Sequence, residues 1–321
     1  MRVSLAFPAS AAVDRPVSAA ICGGRVKRPS PSGRRGARAA ALGTLLLVTG
    51  FGAWPASTPL RVAATIFPIY DVVRHVAGSA AEVVLVLPPG ASPHTFEPTP
   101  AAVRALAGAE VVFVVGHGFD DWAARAALGA GVSRLVPVDS AIALRHVDGR
   151  IDPHYWLSAL NGKAIAKTAA AELERLLPNA RGEIEHSLEA YLARLDEVDA
   201  EVRRILVDLP TRRIATVHDA FGYFADAYGL EVVATFEPYP GSEPSVRFLV
   251  DFQKTIRACD VRVVFTEPQL ATGALRPIAE DLGVKLAVLD PLGGLPGREG
   301  YAELLLFDAR AVARASRGET Q

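Results

Sequence analysis

Short runs of β-branched and apolar residues alternate with longer stretches in which apolar and charged residues mix at helical spacing, from Arg61 onward. This alternation is typical of parallel sheets covered by helices. The strand-like runs are RVAAT (61–65), EVVLVL (82–87), VVFVV (111–115), RLVPV (134–138), RIATV (213–217), EVVATF (231–236), VRVVFT (261–266) and KLAVL (285–289). They fall into two sets of four. The pattern therefore predicts an α/β protein with two lobes, each containing a mainly four-stranded parallel sheet flanked by helices.

A long helical stretch, Gly162 to Leu209, separates the two sets of strands and is interrupted at Pro178 and Asn179. In its second part, apolar residues recur at steps of three and four between charged ones: Ile184, Leu188, Tyr191, Leu195, Val198, Val202 and Ile205. This spacing predicts an amphipathic helix of about 27 residues and about 40 Å. A coiled coil has the same period, but the α/β halves on both sides favour one long rigid backbone helix that joins the lobes.

The N-terminal segment has the pattern of an export signal. Residues 1–40 carry eight basic side chains and one acidic one, and residues 39–54 carry no charge. A basic segment followed by a short apolar run is typical of a signal peptide, whereas a membrane-spanning helix needs about 20 apolar residues. We therefore predict export to the periplasm, with cleavage at about residues 53–59. An uncleaved anchor is the alternative, and the Arg34-Arg35 pair leaves the twin-arginine pathway open.

The chain divides into four predicted segments: a leader (1–58), an N-terminal lobe (59–180), an interlobe helix (181–209) and a C-terminal lobe (210–321). Cys22 precedes the apolar run instead of following it, which argues against a lipoprotein. Cys259 is then the single cysteine of the exported part, so no disulfide within the chain is expected.

Charge argues against nucleic acid as a partner. The formal net charge is −1, and the +7 of residues 1–40 leaves −8 for the remainder. Binding to a phosphate backbone draws its affinity from Lys and Arg, which an acidic folded part does not supply in excess. The sequence also lacks the HExxH, GxSxG and GxGxxG motifs, so no motif supports hydrolysis or dinucleotide chemistry.

Four polar residues lie where ligands of open α/β sheets gather, near the carboxyl ends of strands. His94 follows the second predicted strand, His218 follows the fifth, and Asp290 follows the eighth. His154 lies in DPHYWLS, just before the long helical stretch. Each residue alone also fits a capping, core-edge or turn role. Two of these residues come from each half of the chain, at equivalent positions. This arrangement predicts a metal site with three imidazoles and one carboxylate.

Five motifs resemble those of one family, the substrate-binding receptors of zinc and manganese ABC importers in bacteria. They are PPGASPHTFEPTP, DPHYWLS, VHDAFGYFADAYGL, VFTEPQL and DPLGG, in this order, and the resemblance covers nearly all of residues 61–310. It implies two α/β lobes joined by one long helix, with the metal in the cleft between them. Carried over by position, it implies His94 and His154 as ligands from the first lobe, with His218 and Asp290 from the second.

The resemblance implies an extracytoplasmic, high-affinity zinc receptor that acts as a monomer, delivers Zn²⁺ to the membrane permease of an ABC importer and catalyses no reaction. In related manganese receptors an acid commonly replaces His218, so three nitrogen ligands favour zinc. A manganese or mixed divalent-metal receptor remains the alternative. An iron-chelate receptor and a zinc-dependent hydrolase fit less well, because the first needs aromatic and arginine side chains and the second an open coordination position.

Other polar residues have supporting or unrelated roles in this interpretation. We expect Glu267 to accept a hydrogen bond that fixes the tautomer of a ligand histidine, with Glu97 and Asp219 as further candidates. We expect His117 to lie in a glycine turn. The segment 140–151 replaces the long histidine-rich loop of many zinc receptors, so no metal-gathering role is expected for it.

Overall fold

The computed structural model describes residues 59–237 and 244–319. The predicted leader (1–58), with Cys22, lies outside the described residues. Within them the chain forms two parallel sheets, each of four strands, and a two-stranded hairpin. The predicted α/β architecture of two lobes is therefore confirmed.

The first lobe is built on a parallel sheet with the strand order β2-β1-β3-β4. Its elements are β1 (Leu60–Ala64), α1 (Phe67–Ala77), β2 (Ala81–Leu85), α2 (Pro100–Leu106), β3 (Val111–Val114), α3 (Trp122–Gly129) and β4 (Leu135–Pro137). Strand β1 pairs with both β2 and β3, so that Val62 lies opposite Val83 and Val111. All four residues of β3 are buried, which explains its continuous apolar sequence, because helices cover both faces of a parallel sheet.

A short antiparallel hairpin follows the first sheet, formed by β5 (His146–Val147) and β6 (Arg150–Ile151). Its turn residues Asp148 and Gly149 both have positive φ, 50° and 76°, as a tight two-residue hairpin turn requires. The sequence pattern predicted no element in segment 140–151, because two-residue strands are too short to show a period.

Two helices connect the lobes: α4 (Ala159–Leu176) and, after a 3-10 turn at Pro178–Ala180, α5 (Arg181–Ile205). Helix α5 has 25 residues, close to the 27 expected from its apolar stripe. Five positions of that stripe are buried: Ile184, Tyr191, Leu195, Val198 and Val202. The predicted interlobe helix is confirmed, although it ends at Ile205 and the chain reaches Pro210 through a turn.

The second lobe is built on a parallel sheet with the strand order β10-β9-β7-β8. Its elements are β7 (Arg213–Thr216), α6 (Gly222–Tyr228), β8 (Glu231–Thr235), α7 (Val246–Ala258), β9 (Val263–Thr266), α8 (Leu275–Leu282), β10 (Lys285–Val288) and α9 (Tyr301–Ser316). Helix α5 packs against α1 and α4 of the first half of the chain and against α9 of the second. It therefore supports both lobes.

The lobes also contact each other directly through the segment that contains His154. The Trp156 indole N–H donates to the carbonyl of Pro291 at 2.7 Å. The Tyr301 hydroxyl lies within hydrogen-bond distance of the Trp156 and Ser158 carbonyls, the latter at 2.8 Å. One buried apolar core runs through the first lobe, α5, α6 and α9. The two lobes thus share a core, and their relative position is held by buried polar contacts as well.

Helix α9 begins where a carboxylate of the other lobe meets it. The Tyr301 N–H donates to Asp71 Oδ2 at 2.9 Å, and Asp71 belongs to α1. A negative charge is favourable at a helix N-terminus, where backbone N–H groups lack partners within the helix. Among the residues that the structure describes, no helix combines the length and the apolar character needed to cross a bilayer.

We predict that Tyr301→Phe lowers the free energy of unfolding by about 1 kcal/mol, because the Trp156 and Ser158 carbonyls lose the hydroxyl as a donor and keep only their backbone donors. Tyr191→Phe is the matched control. The Tyr191 hydroxyl is also buried but has no hydrogen-bond partner among the described residues, so its removal leaves stability unchanged or slightly higher. Urea denaturation of the zinc-free protein measures both values. Equal losses in the two variants would contradict the role assigned to the Tyr301 hydroxyl.

Candidate metal centre

Three histidines from separate parts of the chain converge at one point between the lobes. His94 lies in the loop after β2, His154 precedes α4, and His218 follows β7 at the carboxyl end of the second sheet. The His154 Nε2 atom lies 3.4 Å from His94 Nε2 and 3.2 Å from His218 Nε2. Zinc–imidazole bonds of 2.0–2.1 Å place two ligands of a tetrahedral site about 3.4 Å apart. The spacing therefore fits a single tetrahedral ion.

Two buried carboxylates orient two of these rings. His154 Nδ1 lies 2.9 Å from Asp152 Oδ1, and His218 Nδ1 lies 2.8 Å from Glu267 Oε1. A carboxylate only accepts hydrogen bonds, so each Nδ1 must carry the proton and each Nε2 presents a lone pair to the cluster. The expectation for Glu267 is confirmed.

Sequence reasoning missed Asp152, although its signal was present. Asp152 stands two residues before His154 in DPHYWLS, and besides the ring it accepts the His154 backbone N–H at 3.0 Å. Glu97 was wrongly considered for such a role, since it is exposed and its nearest charged partner is Arg125 at 3.6 Å. His117 does lie in a glycine turn, with φ of 55°, where it pairs with Asp139 at 2.6 Å.

The third ring, His94, is positioned by aromatic packing. Its ring meets Phe119 edge-on, with centroids 4.9 Å apart and planes at 82°. Phe119 also meets His154 edge-on at 5.5 Å, and the ring centres of Trp156 and His154 lie 5.5 Å apart. These aromatic side chains cover the buried His154 ring, whereas part of the His94 side chain remains exposed. Shielding from water strengthens the attraction between a bound cation and a ligand such as His154.

The protonation of the rings differs because their surroundings differ. The protein atoms crowded around His94, and then the neighbouring rings of His154 and His218, lower its pKa to about 3, although part of the His94 side chain remains exposed to solvent. Burial also lowers the pKa of His154 below its ordinary value, and the hydrogen bond to Asp152 only partly opposes this. Burial disfavours protonated His218 as well, but the Glu267 carboxylate, together with Asp219 and Glu237, outweighs it and raises the pKa of His218 above its ordinary value. As pH falls, His218 is therefore the first ring to take up a proton.

Asp290 is not brought into the histidine group in this conformation. It is fully buried, and Arg298 Nε donates to its Oδ2 at 2.5 Å. Its Oδ1 accepts from Gln269 Nε2 at 2.8 Å and from the Leu292 N–H at 3.0 Å. The group of three or more metal-binding side chains found among the described residues contains the three histidines alone. The pairing with Arg298 explains why the predicted fourth ligand stands apart.

The cavity beside the histidines is small, about 10 Å³, and Ser92, Glu267 and Gln269 also line it. A site of this size has room for about one water-sized species, such as a single ion. Organic ligands and metal chelates need pockets of several hundred Å³.

Two α/β lobes joined by a long helix, with an imidazole cluster between them, define a metal-binding receptor. The chain belongs to the ZnuA family, described as zinc-uptake complex component A periplasmic, whose model matches residues 62–315.

Curated relatives include the zinc-binding protein AdcA of Streptococcus pyogenes serotype M1, 23% identical over 287 residues, covering 79% of this chain and 56% of AdcA. The high-affinity zinc uptake system protein ZnuA of Bacillus subtilis is 25% identical over 268 residues, covering 77% of this chain and 84% of that protein. The chain thus spans a little over half the length of AdcA.

Among solved structures, FpvC of Pseudomonas aeruginosa in complex with Mn²⁺ is 30% identical. It superposes with a TM-score of 0.72, covering 81% of this chain and 99% of FpvC.

We predict that, in the zinc-free protein, the His218 ring titrates with a pKa above 6.5, whereas His94 stays neutral down to about pH 3. Nitrogen-15 NMR of the imidazoles measures both. Glu267→Gln lowers the pKa of His218, because the carboxylate that favours its charged form is gone. Glu97→Gln removes a charge from an exposed side chain and serves as the control. A His218 titration that Glu267→Gln leaves in place would contradict this electrostatic account.

Proposed function

We propose that this chain is an extracytoplasmic receptor that binds Zn²⁺ between its lobes and delivers it to the permease of an ABC importer. One observation carries the proposal: His154 Nε2 lies at tetrahedral spacing from the Nε2 atoms of both His94 and His218, and carboxylates fix the rings of His154 and His218 with their Nε2 lone pairs directed inward. We propose His94, His154 and His218 as the ligands. The protein acts as a monomeric carrier of its cargo and not as an enzyme.

The donor set supports zinc over manganese. Imidazole nitrogen suits zinc, whereas manganese prefers carboxylate, carbonyl and water oxygen. The two carboxylates nearest the cluster, Asp152 and Glu267, are hydrogen-bonded to the Nδ1 atoms of ligand histidines. A mixed divalent-metal receptor is the second candidate, because the related FpvC was solved with Mn²⁺. The small cavity supports an ion as cargo and argues against an iron chelate.

Asp290 remains a proposed ligand, but only in a conformation that differs from the one described here. Binding through it requires Arg298 to release a carboxylate oxygen, which exchanges one charge-assisted hydrogen bond for a metal bond. In the conformation described, the three histidines leave the fourth coordination position to a water molecule. Asp290 therefore contributes less to zinc affinity than any of the histidines. That the protein is not an enzyme follows from its membership of the zinc-uptake family and not from the number of protein ligands.

Export and domain boundaries complete the proposal. We propose that residues 1–58 direct the chain to the periplasm and are removed, and that residues 59–180 and 210–321 form the lobes on either side of 181–209. The family description names a periplasmic component, and the basic and apolar pattern of residues 1–54 supports a signal peptide.

We predict that the exported protein begins between residues 53 and 59, because the apolar run ends there and the first strand begins at Leu60. Intact-mass analysis of protein recovered from the periplasm measures the new N-terminus. A mature chain that retains Leu45 to Val48 would show that the apolar run stays attached as an anchor.

We predict that Zn²⁺ displaces Mn²⁺ from the purified protein and that His218→Ala lowers zinc affinity by at least about 100-fold, since a nitrogen ligand is lost. Asp290→Asn keeps the shape of the side chain and lowers affinity by less than about tenfold. His186→Ala changes an exposed histidine of α5 and is the matched control. Titration against a competing chelator measures all three. Undiminished zinc binding by His218→Ala, or preference for Mn²⁺, would refute the assignment.

A further inference from the structure

Arg145 lies beside the hairpin β5–β6, where the first lobe meets helix α6 of the second. Its Nη1 donates to Asp152 Oδ2 at 2.7 Å, and its Nε lies 2.7 Å from Asp226 Oδ2. Asp152 follows β6 directly, whereas Asp226 belongs to α6. One guanidinium therefore joins carboxylates of the two lobes.

The backbone at Arg145 strengthens the same connection. The Arg145 N–H donates to the Tyr223 hydroxyl at 2.7 Å, and this hydroxyl donates to the Asp152 carbonyl at 3.1 Å. The Asp152 N–H donates to the Arg145 carbonyl at 2.9 Å, which extends the pairing of the hairpin by one step. Both the side chain and the main chain of Arg145 thus hold Asp152, and Tyr223 of α6 connects them to the second lobe.

Helix α6 approaches Arg145 closely because it begins with a glycine. A Cβ atom built on Gly222 would lie 1.6 Å from Arg145 Nη1 and 2.3 Å from its Cζ. The guanidinium occupies the space that a side chain at position 222 would need. Any larger residue there must displace it.

Asp152 needs such a partner. Its side chain is 3% exposed, and a buried carboxylate is costly unless its oxygens are hydrogen-bonded. One oxygen serves His154 and the other accepts from Arg145. The planar fork of an arginine reaches two carboxylates at once, which the single ammonium group of a lysine does not do in the same geometry.

We propose that Arg145 is a positioning residue that holds Asp152 against His154 and couples the orientation of that ring to contact between the lobes. Its role in zinc transport rests on the proposed function. Separation of the lobes removes Asp226 and Tyr223 from Arg145, leaves Asp152 less firmly held and so loosens the His154 imidazole. Opening of the cleft and weakening of a ligand then occur as one event.

The test measures by NMR how fast the Nδ1 protons of His154 and His218 exchange with water. The zinc-free unaltered protein is compared with Arg145→Ala, Arg145→Lys and Gly222→Ala. We expect exchange of the His154 proton with water to become at least about tenfold faster in Arg145→Ala and Gly222→Ala, since its acceptor is less well held. We expect exchange at His218, which Glu267 holds, to stay unchanged. We expect an intermediate exchange rate at His154 in Arg145→Lys, because lysine keeps the positive charge but lacks the planar guanidinium.

Arg203→Ala is the matched control. Arg203 also attaches to α6, where it donates to the Ala227 carbonyl at 3.1 Å and lies 5.3 Å from the Tyr228 ring centre, but its partners do not include Asp152. Unchanged exchange at His154 in both Arg145→Ala and Gly222→Ala would overturn the proposal. Equal acceleration at both histidines would do so too, because it would indicate general loosening.

Zinc dissociation into excess chelator is the second readout, with at least about tenfold faster release expected from Arg145→Ala. Release at the wild-type rate would overturn the coupling to metal release. Failure of the proposed function itself would be recognised separately, as absence of zinc binding by the unaltered protein. The exchange measurement uses zinc-free protein and decides the role of Arg145 in either case.

Discussion

Two hydrogen bonds between buried carboxylates and imidazoles, Asp152 to His154 and Glu267 to His218, are the interactions on which the site depends. Without them either ring nitrogen could carry the proton, and the rings would be free to rotate away from a shared centre. Burial of a carboxylate is unfavourable by several kcal/mol unless its oxygens are paired. The fold therefore has to surround each carboxylate with fixed donors. One carboxylate comes from each lobe, so the cluster forms only where the lobes meet.

The contact between the lobes is correspondingly specific. An apolar core alone would tolerate sliding, because burial of apolar surface has no preferred direction. Directional bonds at Trp156, Tyr301 and Asp71 remove that freedom, since each connects one lobe to a defined atom of the other. Helix α5 packs against helices of both lobes and so connects them. The histidines and the contacts of Arg145 lie where the lobes meet, so a change in the contact between the lobes alters the site.

The sequence predicted the elements that show a period and three histidines, each within a motif, that the structure brings together. Eight apolar runs became eight strands because parallel strands are buried on both faces, and the stripe from Ile184 to Ile205 became one helix. The hairpin at Asp148 was missed because its strands have two residues each. The separation of Asp290 from the histidines was missed for another reason: it depends on Arg298, eight residues later, folding back onto the carboxylate. Pairing of that kind is decided by the path of a loop, which no periodicity reports.

A carrier protein has to reconcile tight binding with release, and the arrangement of polar groups suggests how. In the proposed site the three histidines supply the affinity, and Phe119 and Trp156 increase it by covering the His154 ring. Release does not require each metal bond to break independently if the ring orientation itself depends on lobe contact. His154 meets this condition, because its acceptor Asp152 is bonded to Arg145, which also contacts α6 of the other lobe. His218 does not, because Glu267 follows β9 within its own lobe. The two rings therefore differ: each is held by a carboxylate of its own lobe, but only the carboxylate that holds His154 is also connected, through Arg145, to the other lobe.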